Sequence, residues 1–276
     1  MRADLWAEMP PVTRHAALVH ATALCCDPDS DAVYSHESAA ALWGLPRIEP
    51  WPQLAHVTSV RAVRSSARLR RHECELNAYM VRNGLRVTTP ERTVVDLART
   101  GSLVTALAAA DHALRHELTT ADNLVEEASD IPVRARGRTA AKLVAELADG
   151  RSMSAGESLS RAQMFVLNLP RPDLQVKCED ESGLIGFADF GWQGVVGEFD
   201  GKVKYRVPEG ASGQEATAAL WKEKPREDRI RATDLRVARW VYADALVPGR
   251  MAAKLAGQGI RAQPRNAWFD LGRAPA

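Results

Sequence analysis

The stretch from Gly186 to Lys204, GFADFGWQGVVGEFDGKVK, constrains the fold of this chain more than any other segment. Its residues alternate as in a strand pair, with Phe187 and Asp189 on one face and Ala188, Phe190 and Trp192 on the other. After Gln193-Gly194 the alternation resumes, with Val196, Glu198 and Asp200 sharing a face. Gln-Gly is a fair two-residue hairpin loop. With those residues as the loop, Trp192 pairs with Val195, Phe190 with Gly197, and Asp189 falls opposite Glu198. Facing carboxylates have Cβ atoms about 5 Å apart and repel unless a cation lies between them. One reading is a divalent metal held by the carboxylates. The other is an edge hairpin with a solvated acidic face.

A chain of 276 residues has room for one large or two ordinary domains and a sizeable core. A net charge of +1 means that any nucleic-acid surface is local. Cys25, Cys26, Cys74 and Cys178 match no zinc spacing and follow no secretory signal, so they read as reduced thiols in a cytoplasmic protein. No apolar run is long enough to span a bilayer, so no membrane partner is expected.

In the first half, a helix is expected from about Thr13 to Leu24. A second follows Ser35 as its cap and stops at Gly44 and Pro46. His36, in the first turn of that short packed helix, reads as structural. Leu54–Val60, Leu69–Leu76 and Leu85–Thr88 read as strands. The loop between the first two carries Arg61, Arg64, Arg68, Arg70 and Arg71 and no acid, which suits either phosphate contact or a solvated basic loop. Thr89 caps a helix with Pro90 at its first position, and Asp96 on it reads as a surface or capping residue. Further helices cover Leu103–Leu118, Asp122–Glu127 and a segment ending at Gly150. Arg134 to Lys142 form a basic linker.

The second half opens with Ser154 and Glu157 at capping-box spacing, on a helix reaching about Leu167. Strands follow at Leu174–Cys178 and Leu184–Trp192, then the hairpin's second arm. Helical stretches at Gln214–Lys224 and Pro225–Thr233, a strand at Leu235–Tyr242 and a last helix at Gly249–Leu255 complete it. The chain thus reads as α/β (α+β). Residues 1–135 form a mixed helical and short-strand domain, and residues 150–260 a central mixed sheet flanked by helices.

The residues FADF, VVGEFDG and WKEKPREDRIRATDLRVARWVYADAL resemble the Vsr-like branch of the PD-(D/E)xK nucleases, from about Gly156 to Leu246. That resemblance implies a restriction-endonuclease-like domain with a magnesium site at the sheet edge. Asp189 falls on the family's strand aspartate, Glu198 on its next acidic position, Glu157 on its helical glutamate, and Asp228-Arg229 on its RD pair. Asp200 stands where the common pattern has lysine, and the nearest lysines are Lys202 and Lys204. SHESAAALWGLP, HVT and GLRVTTPERTVVDLAR resemble the core of AbiEi-type antitoxins of type IV toxin–antitoxin systems, over about Arg14 to Leu118. The winged helix-turn-helix that usually precedes that core has no room before Arg14.

Two functions follow from the resemblances. In a metal-dependent DNA endonuclease of phage defence or mobile-element biology, Mg²⁺ or Mn²⁺ on Asp189, Glu198 and Glu157 polarises a phosphate oxygen and activates water. Asp200 then orients that water or adds a third acid, and Lys202 offsets charge on the phosphorane. Arg64, Arg68, Arg70, Arg71, Lys204 and Arg229 contact DNA. In the alternative, a non-catalytic antitoxin or DNA-binding regulator neutralises a nucleotidyltransferase-like toxin. Bland accounts compete at two places. The capping box explains Glu157, and a salt-bridged helix face explains Asp228 and Arg229.

Overall fold

The computed structural model describes residues 3–25, 31–60, 68–201, 229–230 and 232–269. It divides into two compact units, Met1–Gly150 and Arg151–Ala276. No helix among the described residues is long and apolar enough to cross a membrane. Lys202, Lys204, Arg64, Asp228 and the helix expected at Gln214–Lys224 lie outside the described residues.

The first unit begins with α1 (Ala3–Glu8) and α2 (Pro11–Ala23), then β1 (Val33–Tyr34) and α3 (His36–Trp43). Strands β2 (Ala55–Thr58), β3 (Leu69–His72), β4 (Met80–Arg82) and β5 (Leu85–Val87) lead to helices α4 (Pro90–Thr100), α5 (Leu103–Arg115), α6 (Ala121–Asp130) and α7 (Arg138–Leu147). The sheet order is β3-β2-β1-β5-β4. β1 runs antiparallel to β2 and parallel to β5, and β2 runs parallel to β3.

Gly44 ends α3 in the left-handed conformation at φ 77°, as its place before Leu45-Pro46 predicts. Thr89 caps α4 by accepting the Arg92 N–H, and Val94, Val95, Leu97 and Ala98 turn inward. The small Ala106, Ala109, Ala110 and Ala113 of α5 lie in the same core, where alanine lets backbones approach closely. Trp43 fixes α3 over the sheet by donating its Nε1–H to the Thr88 carbonyl at 2.9 Å. Sequence periodicity misses β1 and β4. β1 is two residues long, and β4 leaves Met80 and Val81 exposed. The β4–β5 connection is Asn83-Gly84, both at positive φ (50° and 78°), a two-residue hairpin loop.

The second unit comprises α8 (Ala155–Val166), β6 (Asp173–Asp180), β7 (Gly183–Trp192), β8 (Val195–Asp200), β9 (Arg236–Val241), α9 (Tyr242–Ala245) and α10 (Pro248–Gly257). Its sheet order is β6-β7-β8-β9. The first three strands form an antiparallel meander, and β9 joins β8 in parallel. The expected hairpin is present, with Trp192 opposite Val195 and Phe190 opposite Gly197. One face carries Phe190 and Trp240, ring centroids 5.3 Å apart and both fully buried. Trp240 donates to Ser160 Oγ on α8 at 2.8 Å, and Phe199 packs so closely under Gly156 that a Cβ there meets its ring at 2.1 Å.

Two predictions follow from this packing. Gly156→Ala forces α8 or the Phe199 ring aside, so it should lower the stability of the second unit by about 1–3 kcal/mol in urea unfolding. The other concerns His15 on α2, buried and stacked on Trp51 at 5.0 Å beside a cavity of about 480 Å³. Burial lowers its pKa from 6.5 to about 4. The unfolded chain therefore takes up this proton near pH 6.5 and the folded chain only near 4, so stability is complete above 6.5 and declines as pH falls through that window. His15→Phe keeps a ring against Trp51 and should flatten the decline by at most about 1.4 kcal/mol per pH unit. An unchanged slope in urea midpoints at pH 7, 6 and 5 counts against it.

Candidate functional site

The hairpin places Asp189 and Glu198 on one face, one step beyond the Phe190–Gly197 pair that is the last of the recorded ladder. There the Asp189 side chain enters the backbone bonding, as its Oδ2 accepts the Phe199 N–H at 2.7 Å. Glu198 is buried and lies across from Arg239 of β9, whose Nε and Nη2 both donate to Glu198 Oε2, at 2.8 and 2.7 Å. An arginine side chain thus pairs with Glu198. Asp200 is half-buried at the end of β8, paired in register with Val241.

Glu157 serves the start of α8. Its Oε1 bonds Ser154 Oγ at 2.8 Å, and its Oε2 accepts the Met153 N–H at 2.8 Å and Gln175 Nε2 at 3.2 Å. Ser154 Oγ in turn accepts the Glu157 N–H. Glu157 thus serves the helix start and also reaches Gln175 of β6. Among the expected DNA contacts, Arg68 and Arg70 are exposed, whereas Arg71 latches the end of β2 by donating to the Ser59 and Val60 carbonyls at 3.2 Å. Arg229 makes a bidentate pair with Asp180, at 2.7 and 2.6 Å, across the mouth of the β6–β7 turn.

The densest cluster of polar chemistry lies in the first unit. β1, β2 and β3 lie side by side; His72 is the last residue of β3, His56 the second of β2, and His36 opens α3 two residues after β1. His56 and His72 sit on the same face because Thr58 is the register partner of His72 and Arg70 that of His56. His36 opens α3 with φ +51°, outside the usual range for an L-residue. Its ring stacks on His72 with centroids 3.6 Å apart and planes 14° from parallel. Ser35 anchors the group. Its Oγ accepts the Thr58 hydroxyl at 2.8 Å and lies 2.9 Å from His36 Nδ1, so it does not cap α3.

Two buried carboxylates stand behind the rings. Glu37 holds Arg47 at 2.9 Å through Oε1, and its Oε2 lies 3.1 Å from His56 Nδ1. Asp96 is 2% exposed, so the surface position expected for it does not hold. It sits on the inward face of α4, paired with Arg92 at 3.0 Å, with Oδ2 at 3.8 Å from His36 Nδ1. Burial raises the pKa of Asp96 against the opposing pull of Arg92. Burial also takes His36 down to about 2, helped by His72, His56 and the nearby arginines, and His56 down to about 4. His72 is lowered for the same reason. All three imidazoles are therefore neutral at pH 7, each with a lone pair.

The cluster opens into a cavity of about 360 Å³, lined also by Arg71, Arg92, Arg99 and Cys74. His56 and His72 escape sequence reading because positions 36, 56 and 72 share no motif spacing. Only the register of two short parallel strands brings them together. The available signal is that two predicted strands each carry a histidine.

Residues 32–145 match the AbiEi antitoxin C-terminal domain. That span runs from just before β1 to within α7 and contains all three histidines. Over 190 residues the chain is 30% identical to uncharacterized proteins of two Mycobacterium tuberculosis strains, CDC 1551 / Oshkosh and H37Rv. The match covers 66% of this chain and 64% of theirs, so it spans less than two thirds of those relatives. A match of that length exceeds the first unit, Met1–Gly150, and so extends into the second. No solved structure matches the chain. The second unit's likeness to Vsr-like nucleases finds no counterpart in these comparisons, whereas its first unit is similar to the AbiEi antitoxin C-terminal domain.

Proposed function

We propose that this chain acts as a type IV antitoxin, its first unit binding and neutralising a nucleotidyltransferase-like toxin. The observation that carries the reading is the match of residues 32–145 to the AbiEi antitoxin C-terminal domain. The surface of the same unit supports it. Edge strand β4 presents Met80 and Val81, 46% and 68% exposed, beside Tyr79 at 50%. An apolar, unpaired sheet edge suits protein docking. The basic Arg68 and Arg70 offer a separate surface for DNA.

The test is growth rescue. Co-expression with a nucleotidyltransferase-like toxin encoded beside it should restore growth, and the two proteins should co-purify. Val81→Glu should weaken the complex by about tenfold or more while leaving the melting temperature unchanged. Absence of both rescue and co-purification ends the antitoxin reading.

A second reading has one observation in its favour, the placement of Asp189 and Glu198 on one face of the hairpin. As a metal-dependent endonuclease, the second unit would gather Mg²⁺ or Mn²⁺ there, displacing the Phe199 N–H from Asp189 and Arg239 from Glu198. Cleavage of single- and double-stranded DNA should then fall by about a hundredfold or more in Asp189→Asn, while neutralisation stays intact. Wild-type protein that neither binds Mg²⁺ nor cuts DNA removes this reading.

A further inference from the structure

We infer that His36, His56 and His72 form a binding site for a divalent transition-metal ion of the zinc type, in the first unit and independent of the toxin-binding reading. Each imidazole offers one nitrogen, and the three donor atoms lie within 4.8 Å of one another. Among the described residues this is the one group of three or more such side chains so arranged. His56 Nδ1 and His72 Nε2 are already 3.2 Å apart. Zinc–nitrogen bonds of about 2.0–2.1 Å place tetrahedral donors about 3.4 Å apart, so the widest-spaced donors must close by up to about 1.4 Å, and His36 or His72 must turn out of their parallel stack for both lone pairs to meet one ion. Imidazole donors select zinc, copper, nickel or iron over magnesium or calcium, which separates this site from any carboxylate site for Mg²⁺.

The surroundings match what a histidine-bound cation uses. Metal-bound imidazoles commonly hand their second nitrogen to a carboxylate or another fixed acceptor. Here Ser35 Oγ lies 2.9 Å from His36 Nδ1 and can hold that ring's second nitrogen, with Asp96 Oδ2 3.8 Å from the same atom, while Glu37 Oε2 stands 3.1 Å from His56 Nδ1, the nitrogen that faces His72. Glu37 Oε2 and Asp96 Oδ2 are both buried, and neither has a properly aligned hydrogen bond among the described residues. A buried carboxylate oxygen in that state is costly, and a nearby cation offsets the cost. Burial keeps the rings neutral, as ligation requires. The adjoining cavity leaves a position for water or an exogenous ligand as the fourth donor, and Arg71, Arg92 and Arg99 on its wall favour an anionic one. His36 is held in the left-handed region, a conformation that persists where the surroundings dictate it, often at binding sites.

A competing chelate exists. His112 and His116, one turn apart at the end of α5, have ring centroids 4.1 Å apart. The test therefore uses full-length protein, stripped of metal, in a His112→Gln/His116→Gln background. Titration with Zn²⁺ in a calorimeter should give one equivalent per chain. His72→Gln should weaken that binding by more than the about 100-fold expected for loss of an outer partner, and Ser35→Ala by about 10–100-fold. In case a variant misfolds, the imidazole ¹⁵N signals of His36, His56 and His72 in wild-type protein should all shift on adding one equivalent of Zn²⁺. Binding confined to His112 and His116, equal affinity in folded His72→Gln, or unmoved signals from the three rings overturns the assignment.

Discussion

The first unit depends on a strand two residues long. Val33 and Tyr34 lie in the middle of the sheet and bond on both sides, antiparallel to β2 and parallel to β5. The Tyr34 carbonyl accepts the Thr88 N–H at 2.9 Å, and the next residue, Ser35, donates its N–H to the His56 carbonyl at 3.1 Å. Without this bridge, β3-β2 and β5-β4 have no common neighbour. So few bonds gain little by themselves. The strand is held because α3 follows it directly and buries all eight of its residues, with Trp43 tied to Thr88 at the far end. Helix and sheet here form one cooperative piece.

That arrangement explains why so many polar groups occupy the interior. A central strand that ends abruptly leaves space at the sheet's end, and Ser35, His36, Glu37, His56, Thr58 and Asp96 fill it. Their bonds are mutual. The Thr58 hydroxyl meets Ser35, Arg47 meets Glu37, and Arg92 meets Asp96. A buried network of this kind specifies one arrangement strongly, because partial satisfaction is worse than none. In the second unit the same logic operates where Arg239 compensates Glu198 between two parallel strands.

Much of the architecture was legible in the residues. The Gln193-Gly194 loop, the pairing of Phe190 with Gly197, the Thr89 cap and the Gly44 stop follow from local chemistry and appear as read. What escaped was either too short for periodicity, as in β1, or lay on an exposed edge without an apolar stripe, as in β4. Asn83-Gly84 is a stronger two-residue hairpin signal than Gln193-Gly194, and β4 and β5 pair across it. Of the candidate sites, the hairpin acids were visible because they are close in sequence. The histidine trio was not, since three segments must first be in register. Asp96 was misplaced because a charged residue on an amphipathic helix ordinarily faces water, and here Arg92, four residues earlier on the same helix, allows it inside.

The backbone of His36 has a consequence for how such chains diverge. At φ +51° an L-residue is disfavoured by about 1–3 kcal/mol, a penalty that glycine escapes. Random substitution at this position therefore runs downhill toward glycine in the local conformational energy. The imidazole survives that gradient through what its ring does against His72, Ser35 and Asp96. Once it is gone, the half-buried His72 loses the ring it stacks on, while His56 keeps Glu37 Oε2 3.1 Å from its Nδ1. His36 and His72 should thus be inherited or lost together, which makes them one character rather than two in any comparison of descendants.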